Sequence, residues 1–376
     1  MSFQPQLIFV DEDIADHPRT QRILERCPHS EVRVSPTRQL ADPPTQNLSL
    51  TQGKKTLWLT THKGAWFKKC PGTAGQVCCN YYIMHQGGGC HYDCAYCFLQ
   101  GYQNNPMLQY FVNLEDGMAE IEAVLTRMAP GMLRLGTGEY TDSLNLDHLT
   151  DFSLELMPLT ERHRNVWLEF KTKSASVENL LKVKPNGRVV VGFSLTPSEI
   201  SRQVDHKTAP IEQRLEAACR VARVGYRLAL HLDPLIRYPG WEQGYEQLLN
   251  DVVASLPLDQ IAWVSMGTLR FAPEVKKIAM QRLPNTRIYT EEFVRDSDGK
   301  QRYLRPLRVA MFKHVQALLR EKMPHVLTYL CMETPDVWQD VFGFRPSCGH
   351  SMGSLFDGRL VAKPDAHEPM LVQAVR

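Results

Sequence analysis

Three cysteines stand close together in the segment GCHYDCAYCFLQGY, and their spacing is the strongest chemical signal in the sequence. Cys90, Cys94 and Cys97 form the pattern CxxxCxxC, with a tyrosine between the last two. A structural zinc site needs four protein ligands, and His91 and Asp93 are the local candidates for the fourth. A four-iron cluster held by three thiolates instead leaves one iron open to a small molecule. The segment therefore predicts an iron–sulfur cluster, with zinc binding as the alternative.

The composition is that of a globular protein in a reducing compartment. The 376 residues are 43% hydrophobic and 22% charged, and no apolar run is long enough to cross a membrane. The amino terminus MSFQPQLIFVDED lacks the charged leader and long apolar stretch of a secretion signal. We therefore expect a cytoplasmic protein whose ten cysteines are thiols or metal ligands rather than disulfides.

The charge is distributed unevenly along the chain. The net charge is only +2, which gives no global argument for a nucleic-acid partner, but residues 270–322 contain 13 Lys and Arg against 6 Asp and Glu. This local excess of positive charge predicts a basic face that binds a polyanion, and a solvated helical surface is the alternative.

The cysteine segment is followed by alternating strands and helices. Apolar strands are expected at 80–86, 132–138, 166–172, 188–195, 226–234 and 261–268. Helical patterns separate them, and the pattern at 211–225 has one apolar face. Six such units predict a parallel sheet in a partial (β/α)6 barrel, which places its chemistry on the loops after the strands. The cysteine segment and the segments GTGEYTD, FKTKS, FSLTP and HLDP all fall on those loops.

The barrel is flanked by two further regions. Residues 1–70 begin with a small β–α–β element, with strands at 7–10 and 31–34 around a helical stretch at 18–25, and continue as a polar linker. Residues 71–270 then form the barrel domain, and residues 271–376 form a basic carboxy-terminal region with a hairpin and helices.

Several motifs in order resemble one family of radical enzymes. CxxxCxxC is the signature of the radical S-adenosylmethionine superfamily, and the chain resembles its spore photoproduct lyase family from about residue 81 to about residue 308. The similar segments are CAYCFLQGY, DSLNLDHLT, FKTKS, FSLTP, APIEQRLEAA, HLDP, MGTLRF and DGKQRY, in family order.

The resemblance implies an α/β fold of the radical S-adenosylmethionine type and a DNA repair lyase. Its cofactors would be a [4Fe–4S] cluster and S-adenosylmethionine, reduced by a flavodoxin- or ferredoxin-type partner. Its reaction would be the light-independent reversal of a methylene-bridged thymine dimer in damaged duplex DNA, started by a 5′-deoxyadenosyl radical.

The resemblance also implies roles for individual residues. Lys173 would contact the carboxylate of the cofactor, and Thr141 and Ser194 would offer it hydroxyl groups. Lys300, Arg302 and Tyr303 match a basic hairpin that enters DNA at the lesion, with the aromatic ring as a wedge. An ordinary solvated lysine at 173 and an exposed turn at the hairpin are the alternatives.

Two positions depart from the family pattern. A cysteine after the second strand and a tyrosine after the third cluster cysteine return hydrogen to the product in the family, and Glu139 and Phe98 stand there in this chain. A carboxyl O–H bond is too strong to give a hydrogen atom to a carbon radical, and phenylalanine has no O–H group. Glu139 is interpreted first as a ligand of the cofactor ammonium, with general acid–base catalysis or a structural role as alternatives.

Other residues are candidates to replace the missing hydrogen donor. Tyr96, Tyr140 and Cys331 are the candidates, and core packing is the alternative for Cys331. Three more cysteines precede the cluster segment and would bind a second metal or be buried thiols: Cys70, Cys78 and Cys79.

The sequence thus predicts a radical S-adenosylmethionine lyase that acts on a damaged or modified pyrimidine in DNA. A radical enzyme of the same fold with a peptide or nucleobase substrate is the first alternative. A non-catalytic metal-containing DNA-binding protein is the second.

Overall fold

The structure is a computed structural model of the chain, and it describes residues 3–37, 43–44, 48–73, 75–103, 105–127, 132–346 and 356. Within these residues, no helix has the length and apolar character needed to span a membrane. The nine cysteines in the described part are free thiols, and Cys348 lies outside it.

A five-stranded sheet is built around the predicted β–α–β element. Its strands, in spatial order, are Glu31–Ser35, Leu7–Asp11, Thr56–Thr60, Leu108–Phe111 and Gly87–Gly88, and all but the last run parallel. The two predicted strands and the helix Pro18–Glu25 between them are confirmed. This sheet takes strands from both sides of residue 70, so the division of the chain at that residue stays a prediction about folding units.

The second sheet contains all six predicted barrel strands and two more. In spatial order its eight strands are Leu327–Leu330, Ile261–Thr268, Arg227–Leu235, Val189–Ser194, Val166–Thr172, Leu133–Gly136, Tyr81–Met84 and Phe67–Lys69. The first seven are parallel and Phe67–Lys69 is antiparallel to its neighbour. Leu327–Leu330 was not predicted as a strand from the sequence.

The second sheet curls until its two edges approach each other. Arg134 lies near one edge, and one of its guanidinium nitrogens is 3.5 Å from the hydroxyl of Tyr329 on the opposite edge strand. The guanidinium also lies over the ring of Trp263, 4.5 Å from its centroid. Inside the curl, Glu169 accepts a hydrogen bond from His231 at 2.6 Å and pairs with Arg134 at 3.8 Å. The interior is therefore a packed half-barrel with a buried ionic network, as the partial barrel prediction requires.

Helices cover the outer surface of the half-barrel and connect the strands. The predicted amphipathic helix is confirmed as Ile211–Val224, with Leu215, Ala218 and Ala222 buried against the sheet. The helices longer than one turn are Pro18–Glu25, Leu114–Arg127, Phe152–Leu156, Ser198–Val204, Ile211–Val224, Trp241–Ser255, Pro273–Arg282, Arg305–Lys322 and Pro335–Phe342. Single turns occur at Leu50–Gly53, Leu99–Tyr102, Asp147–Thr150 and Leu159–Arg162, and short 3-10 segments at Glu12–Ile14, Leu180–Lys182 and Leu258–Gln260.

Two small sheets complete the fold near the ends of the barrel strands. Arg270–Phe271, Gln301–Tyr303 and Phe293–Arg295 form an antiparallel sheet that contains the predicted hairpin. Asp93–Cys94 pairs with Asp205–His206 in a two-stranded antiparallel ladder. This two-stranded ladder fixes the cysteine segment against the barrel.

Candidate active site

The cysteine loop, residues 89–98, follows the first parallel strand and is tied down by its backbone. The ladder between Asp93–Cys94 and Asp205–His206 holds its centre. The amide of Ala95 donates to a carbonyl of a neighbouring helix at 2.8 Å, and its carbonyl accepts from the hydroxyl of Tyr289 at 2.9 Å. The ammonium of Lys54 donates to two further carbonyls of the loop. These contacts fix the backbone from several directions before any ligand is bound.

The three predicted cluster thiols lie together in this loop. Burial raises the pKa of Cys90 to about 12 and raises that of Cys94 well above its ordinary value. A charge on Cys97 would raise both pKa values further, which places the three thiols within electrostatic reach of one another. Burial thus keeps the thiols of Cys90 and Cys94 protonated at neutral pH, and a metal must displace these protons to bind.

Three thiols suit a cluster with one open iron better than a structural zinc ion, which needs four protein ligands. In the part of the chain that the structure describes, no group of three or more His, Cys, Asp or Glu side chains is gathered closely enough to hold one metal ion. Each thiolate of a cluster binds a different iron, so three thiolates hold three of the four irons and leave the fourth open. The donor set of Cys90, Cys94 and Cys97 therefore fits a [4Fe–4S] cluster.

The two local candidates for a fourth ligand differ in how far the fold already engages them. The carboxylate of Asp93 accepts from Arg282 at 2.6 Å, and its other oxygen lies 3.4 Å from the ammonium of Lys207. The ring of His91 stacks on that of Phe3 at 4.5 Å, and burial lowers its pKa to about 3. Asp93 is thus committed to cations and is not free to take the fourth position of a cluster.

A buried ionic network lies beside the loop and includes two predicted site residues. Tyr96 donates its hydroxyl proton to Asp205, and the ammonium of Lys173 lies 3.9 Å from the same carboxylate. Arg214, which is fully buried, donates to Asp205 at 3.2 and 3.3 Å, and Ser201 donates at 3.2 Å. Burial alone would raise the pKa of Asp205, but Lys173 and Arg214 lower it below its ordinary value.

The network bears on the predicted role of Tyr96 as a hydrogen donor. Its hydroxyl is engaged by a buried carboxylate, so the structure does not present it as a free hydrogen donor. The ammonium of Lys173 lies 5.5 Å from the centroid of the Tyr96 ring, and its charge acts to lower the pKa of Cys94. That Lys173 faces the carboxylate of a bound cofactor stays a prediction.

Asp142 is a positioning residue that the sequence analysis did not single out. Its carboxylate accepts from the hydroxyl of Thr172 at 2.7 Å and from the backbone amide of Lys173 at 2.6 Å. It therefore ties the loop after one barrel strand to the end of the next. The predicted hydroxyl contacts Thr141 and Ser194 are both buried at the same end of the sheet.

Glu139 lies at the mouth of the half-barrel, which is the end where the parallel strands finish. Its side chain is half-buried among charged groups. Burial raises its pKa, and the nearby cations Lys171 and Arg270 act in the opposite direction. Arg270 is itself fixed by Asp233 through two hydrogen bonds of 2.9 and 3.0 Å. Within the described residues, Glu139 makes no hydrogen bond or ion pair of its own, so its carboxylate is available to a ligand.

Cys331, one of the candidate hydrogen donors, lies at the same mouth. It follows the strand Leu327–Leu330, and its sulfur lies 3.8 Å from a guanidinium nitrogen of Arg270. Burial raises its pKa to about 12, so the thiol keeps its hydrogen. The thiol of Cys331 does not pack in the apolar core, because it faces the ion pair of Arg270 with Asp233.

The cysteines before the cluster loop lie in the connection between the edge strand Phe67–Lys69 and its neighbour Tyr81–Met84. Burial raises the pKa values of Cys70 and Cys79, so both are neutral thiols. After burial, the charge of Glu139 has the largest effect on the pKa of Cys70, so this thiol lies near Glu139 at the barrel mouth. A second metal on Cys70, Cys78 and Cys79 stays a prediction, since no ligand group of that kind is gathered in the described residues.

The structure corrects the prediction for the DNA-contacting hairpin. Tyr303 is 0% exposed and Arg302 is 1% exposed, so neither reaches the surface. The hydroxyl of Tyr303 accepts from the backbone amide of Arg237 at 3.1 Å, and Arg302 forms two hydrogen bonds with Asp298 at 2.6 and 2.8 Å. The predicted wedge role is not met in this structure, because both side chains are used inside the fold. Lys300 is partly exposed and lies 3.5 Å from Asp298.

The basic segment is likewise partly neutralised by the fold. Arg270 pairs with Asp233, and Arg308 pairs with Glu333 at 3.1 Å, both carboxylates outside residues 270–322. Several cations of the segment do remain exposed, namely Lys277, Arg287, Arg295, Arg305, Lys313 and Arg320. The face is therefore basic, but less so than the sequence count indicates.

A curled sheet of parallel strands with a CxxxCxxC loop after the first of them is the architecture of a radical S-adenosylmethionine enzyme. The family model described as "Spore photoproduct lyase" matches residues 3–331. The chain therefore belongs to the spore photoproduct lyase family, whose members are radical S-adenosylmethionine lyases with a [4Fe–4S] cluster, as the sequence predicts.

Known proteins similar to the chain agree with this assignment. The spore photoproduct lyases of Bacillus subtilis (strain 168) and Geobacillus sp. (strain Y412MC61) are 26% and 27% identical to it, over 298 and 301 residues. Each alignment covers 77% of this chain, and 85% or 86% of the relative. A solved spore photoproduct lyase complexed with dinucleoside spore photoproduct superposes with a TM-score of 0.78 at 22% identity, over 88% of this chain and 100% of that chain. The last comparison establishes the fold.

Proposed function

We propose that this chain is a DNA repair lyase that acts on a damaged or modified pyrimidine. Its curated relatives are named spore photoproduct lyase, and one solved relative holds both AdoMet and dinucleoside spore photoproduct. The observation that carries the proposal is the pinned loop that gathers Cys90, Cys94 and Cys97, where the carboxylate of Asp93 is already committed to cations. A cytoplasmic site of action, with a flavodoxin- or ferredoxin-type reductant, fits its free thiols.

Each side chain at the mouth has a defined task in this proposal. Cys90, Cys94 and Cys97 would hold the cluster, which together with S-adenosylmethionine would supply radical chemistry for hydrogen abstraction from the substrate. Lys173 faces the carboxylate of the cofactor, and Glu139 faces its ammonium. Thr141 and Ser194 offer hydroxyl groups at the same strand ends. Asp142 holds the backbone of Lys173 in place, and Asp205 lies beside its ammonium.

The unmodified chain should reverse the methylene-bridged thymine dimer poorly. Glu139 cannot give a hydrogen atom to a carbon radical, and Phe98 has no O–H group. The double variant Glu139→Cys with Phe98→Tyr should raise the yield of reversed dimer per 5′-deoxyadenosine by roughly tenfold, which corresponds to about 1.4 kcal/mol in a competing barrier. Mass spectrometry of nucleosides after incubation of reduced enzyme, cofactor and ultraviolet-damaged DNA measures both products.

The amount of 5′-deoxyadenosine separates the two roles of position 139. If it falls in Glu139→Cys and in the control Glu139→Gln, the carboxylate holds the cofactor. If it persists while dimer reversal improves, the position is the hydrogen-donor site. Efficient and clean reversal of the dimer by the unmodified chain would contradict the inference from both residues. Absence of any converted nucleoside in the damaged DNA would contradict the proposed function itself.

A further inference from the structure

Two exposed aromatic side chains lie beside the cluster loop. They are Tyr102, in the short helix Leu99–Tyr102, and Phe98, the residue before that helix. Phe98 is 41% exposed and Tyr102 is 59% exposed, and their rings meet edge to face with centroids 5.6 Å apart. Among the large hydrophobic side chains that are exposed in the described residues, these two are the aromatic ones. Phenylalanine has only its ring to offer a ligand, so any role of Phe98 is one of ring contact.

The exposed rings are supported by further rings below them. Tyr140 stacks on Tyr102 with centroids 5.8 Å apart and planes 19° from parallel. His85 packs on Tyr140 at 4.7 Å, and Phe111 packs on His85 at 5.1 Å. The outermost ring is therefore held in orientation by a row of rings that leads into the core. We call Phe98, Tyr102 and Tyr140 the aromatic platform.

The aromatic platform connects the two parts of the active site. Phe98 follows the cluster ligand Cys97 directly, and Tyr140 follows Glu139 at the mouth of the half-barrel. Gly101, within the same helix, lets it pack closely on the helix Pro273–Arg282, since a Cβ there would lie 3.3 Å from Val275. A ligand on the platform would thus lie at the rim of the reaction site rather than inside it.

The neighbouring helix Pro273–Arg282 carries three cations, and one of them, Arg282, donates to the side chain of Gln100 in the short helix at 3.1 Å. Pro273–Arg282 contains the adjacent cations Lys276 and Lys277, and Lys277 is exposed. Flat aromatic faces next to cations suit a flat heteroaromatic ring that is attached to a phosphate chain. They suit a protein partner less well, because protein interfaces bury aromatic anchors in apolar surroundings with few lysines.

We propose that the aromatic platform stacks on an unpaired nucleobase next to the damaged nucleotide, and that Tyr102 supplies the main stacking face. This inference rests on the proposed function, because it requires DNA as the substrate. It also gives the chain an exposed aromatic contact at the lesion, a role that the buried Tyr303 does not fill. Stacking distinguishes unpaired from paired DNA, since a base within an intact duplex has no free face.

The test is DNA binding by the full chain with its cluster, without S-adenosylmethionine so that no reaction occurs. The probes are a fluorescein-labelled duplex with two unpaired thymines next to a 2-aminopurine and the fully paired duplex of the same length. Tyr102→Ala should weaken binding to the unpaired probe by about 5- to 100-fold and binding to the paired probe by less than about twofold. The unmodified chain should quench the 2-aminopurine emission by stacking, and Tyr102→Ala should not.

Two variants control for general damage to the surface. Tyr102→Phe keeps the ring and should bind the unpaired probe within about twofold of the unmodified chain. Met280→Ala removes an exposed apolar side chain from the neighbouring helix and should leave both affinities unchanged. These two variants separate ring stacking from loss of hydroxyl or apolar area.

The outcomes distinguish this inference from the proposed function. Unchanged affinity of Tyr102→Ala for the unpaired probe, or an equal loss on both probes, overturns the stacking role while DNA binding stands. An equal loss without any 2-aminopurine quenching points instead to a general contact surface. Absence of DNA binding by the unmodified chain overturns both the stacking role and the choice of DNA as substrate.

Discussion

Replacing any one of Cys90, Cys94 or Cys97 by alanine should abolish the iron–sulfur cluster and all cleavage of S-adenosylmethionine. The loop offers three thiols in a fixed backbone, and Asp93 cannot replace a missing thiolate because Arg282 and Lys207 hold its oxygens. Two thiolates leave two irons of the cluster without protein ligands. The brown absorption of the reconstituted protein, its iron content and the yield of 5′-deoxyadenosine measure the loss.

A cysteine away from the loop provides the matched control. Cys219 is partly buried on the helix Ile211–Val224, and Cys219→Ala should retain full iron content and cofactor cleavage. Circular dichroism of the apoproteins shows whether each loop variant keeps its fold, since the backbone ties of the loop do not depend on the sulfurs. Retention of the chromophore and of 5′-deoxyadenosine in all three loop variants would falsify the assignment of these ligands.

The fold could be predicted where its elements are local and repetitive. Each of the six predicted barrel strands has its own apolar pattern, and helices separate most of them, so that such units dictate a parallel sheet one after another. The strand Leu327–Leu330 was missed because it is short, and its place at the far edge is set by the curl of the whole sheet. The place of Leu108–Phe111 in the first sheet could not be predicted for a similar reason, because its partner strand Thr56–Thr60 lies far away in the sequence.

The site could be predicted where its chemistry depends on spacing within one loop. Cys90, Cys94 and Cys97 are of that kind, and Glu139 follows its strand directly. Asp205 gave no signal, because a single aspartate in VDHKT is ordinary and its partner Tyr96 is 109 residues away. The turn signal DSDG correctly indicated a hairpin, but turn chemistry says nothing about burial. Arg302 is buried because Asp298, in that turn, folds back to pair with it.

Removing the carboxylate of Asp205 should cost more stability than removal of an ordinary surface charge. Arg214 is 0% exposed and forms two of its hydrogen bonds with Asp205, so Asp205→Ala leaves a buried guanidinium without its countercharge. The expected loss in the free energy of unfolding is roughly 3–5 kcal/mol, the usual cost of breaking a buried ion pair from one side. Urea unfolding of the chain measures this loss.

Two comparisons show whether the buried charge is the cause. Asp259 is an exposed carboxylate outside the network, and Asp259→Ala should change the free energy of unfolding by less than about 0.5 kcal/mol. The double variant Asp205→Ala with Arg214→Leu removes both charges, so it should lose less than the sum of the two single losses, by about 1–3 kcal/mol. Strictly additive losses would mean that the two side chains stabilise the fold independently.

The same substitution should reach the active site through Lys173 and Tyr96. Asp205 accepts the hydroxyl proton of Tyr96 and lies 3.9 Å from the ammonium of Lys173, so its loss frees both groups next to the cluster loop. Asp205→Asn keeps the shape and one acceptor oxygen, and it should fold better than Asp205→Ala while still failing to fix the Lys173 ammonium. If Lys173 faces the cofactor, Asp205→Asn should weaken binding of S-adenosylmethionine to the folded protein, as measured by equilibrium dialysis. Unchanged cofactor affinity in that variant would restrict Asp205 to the stability of the barrel.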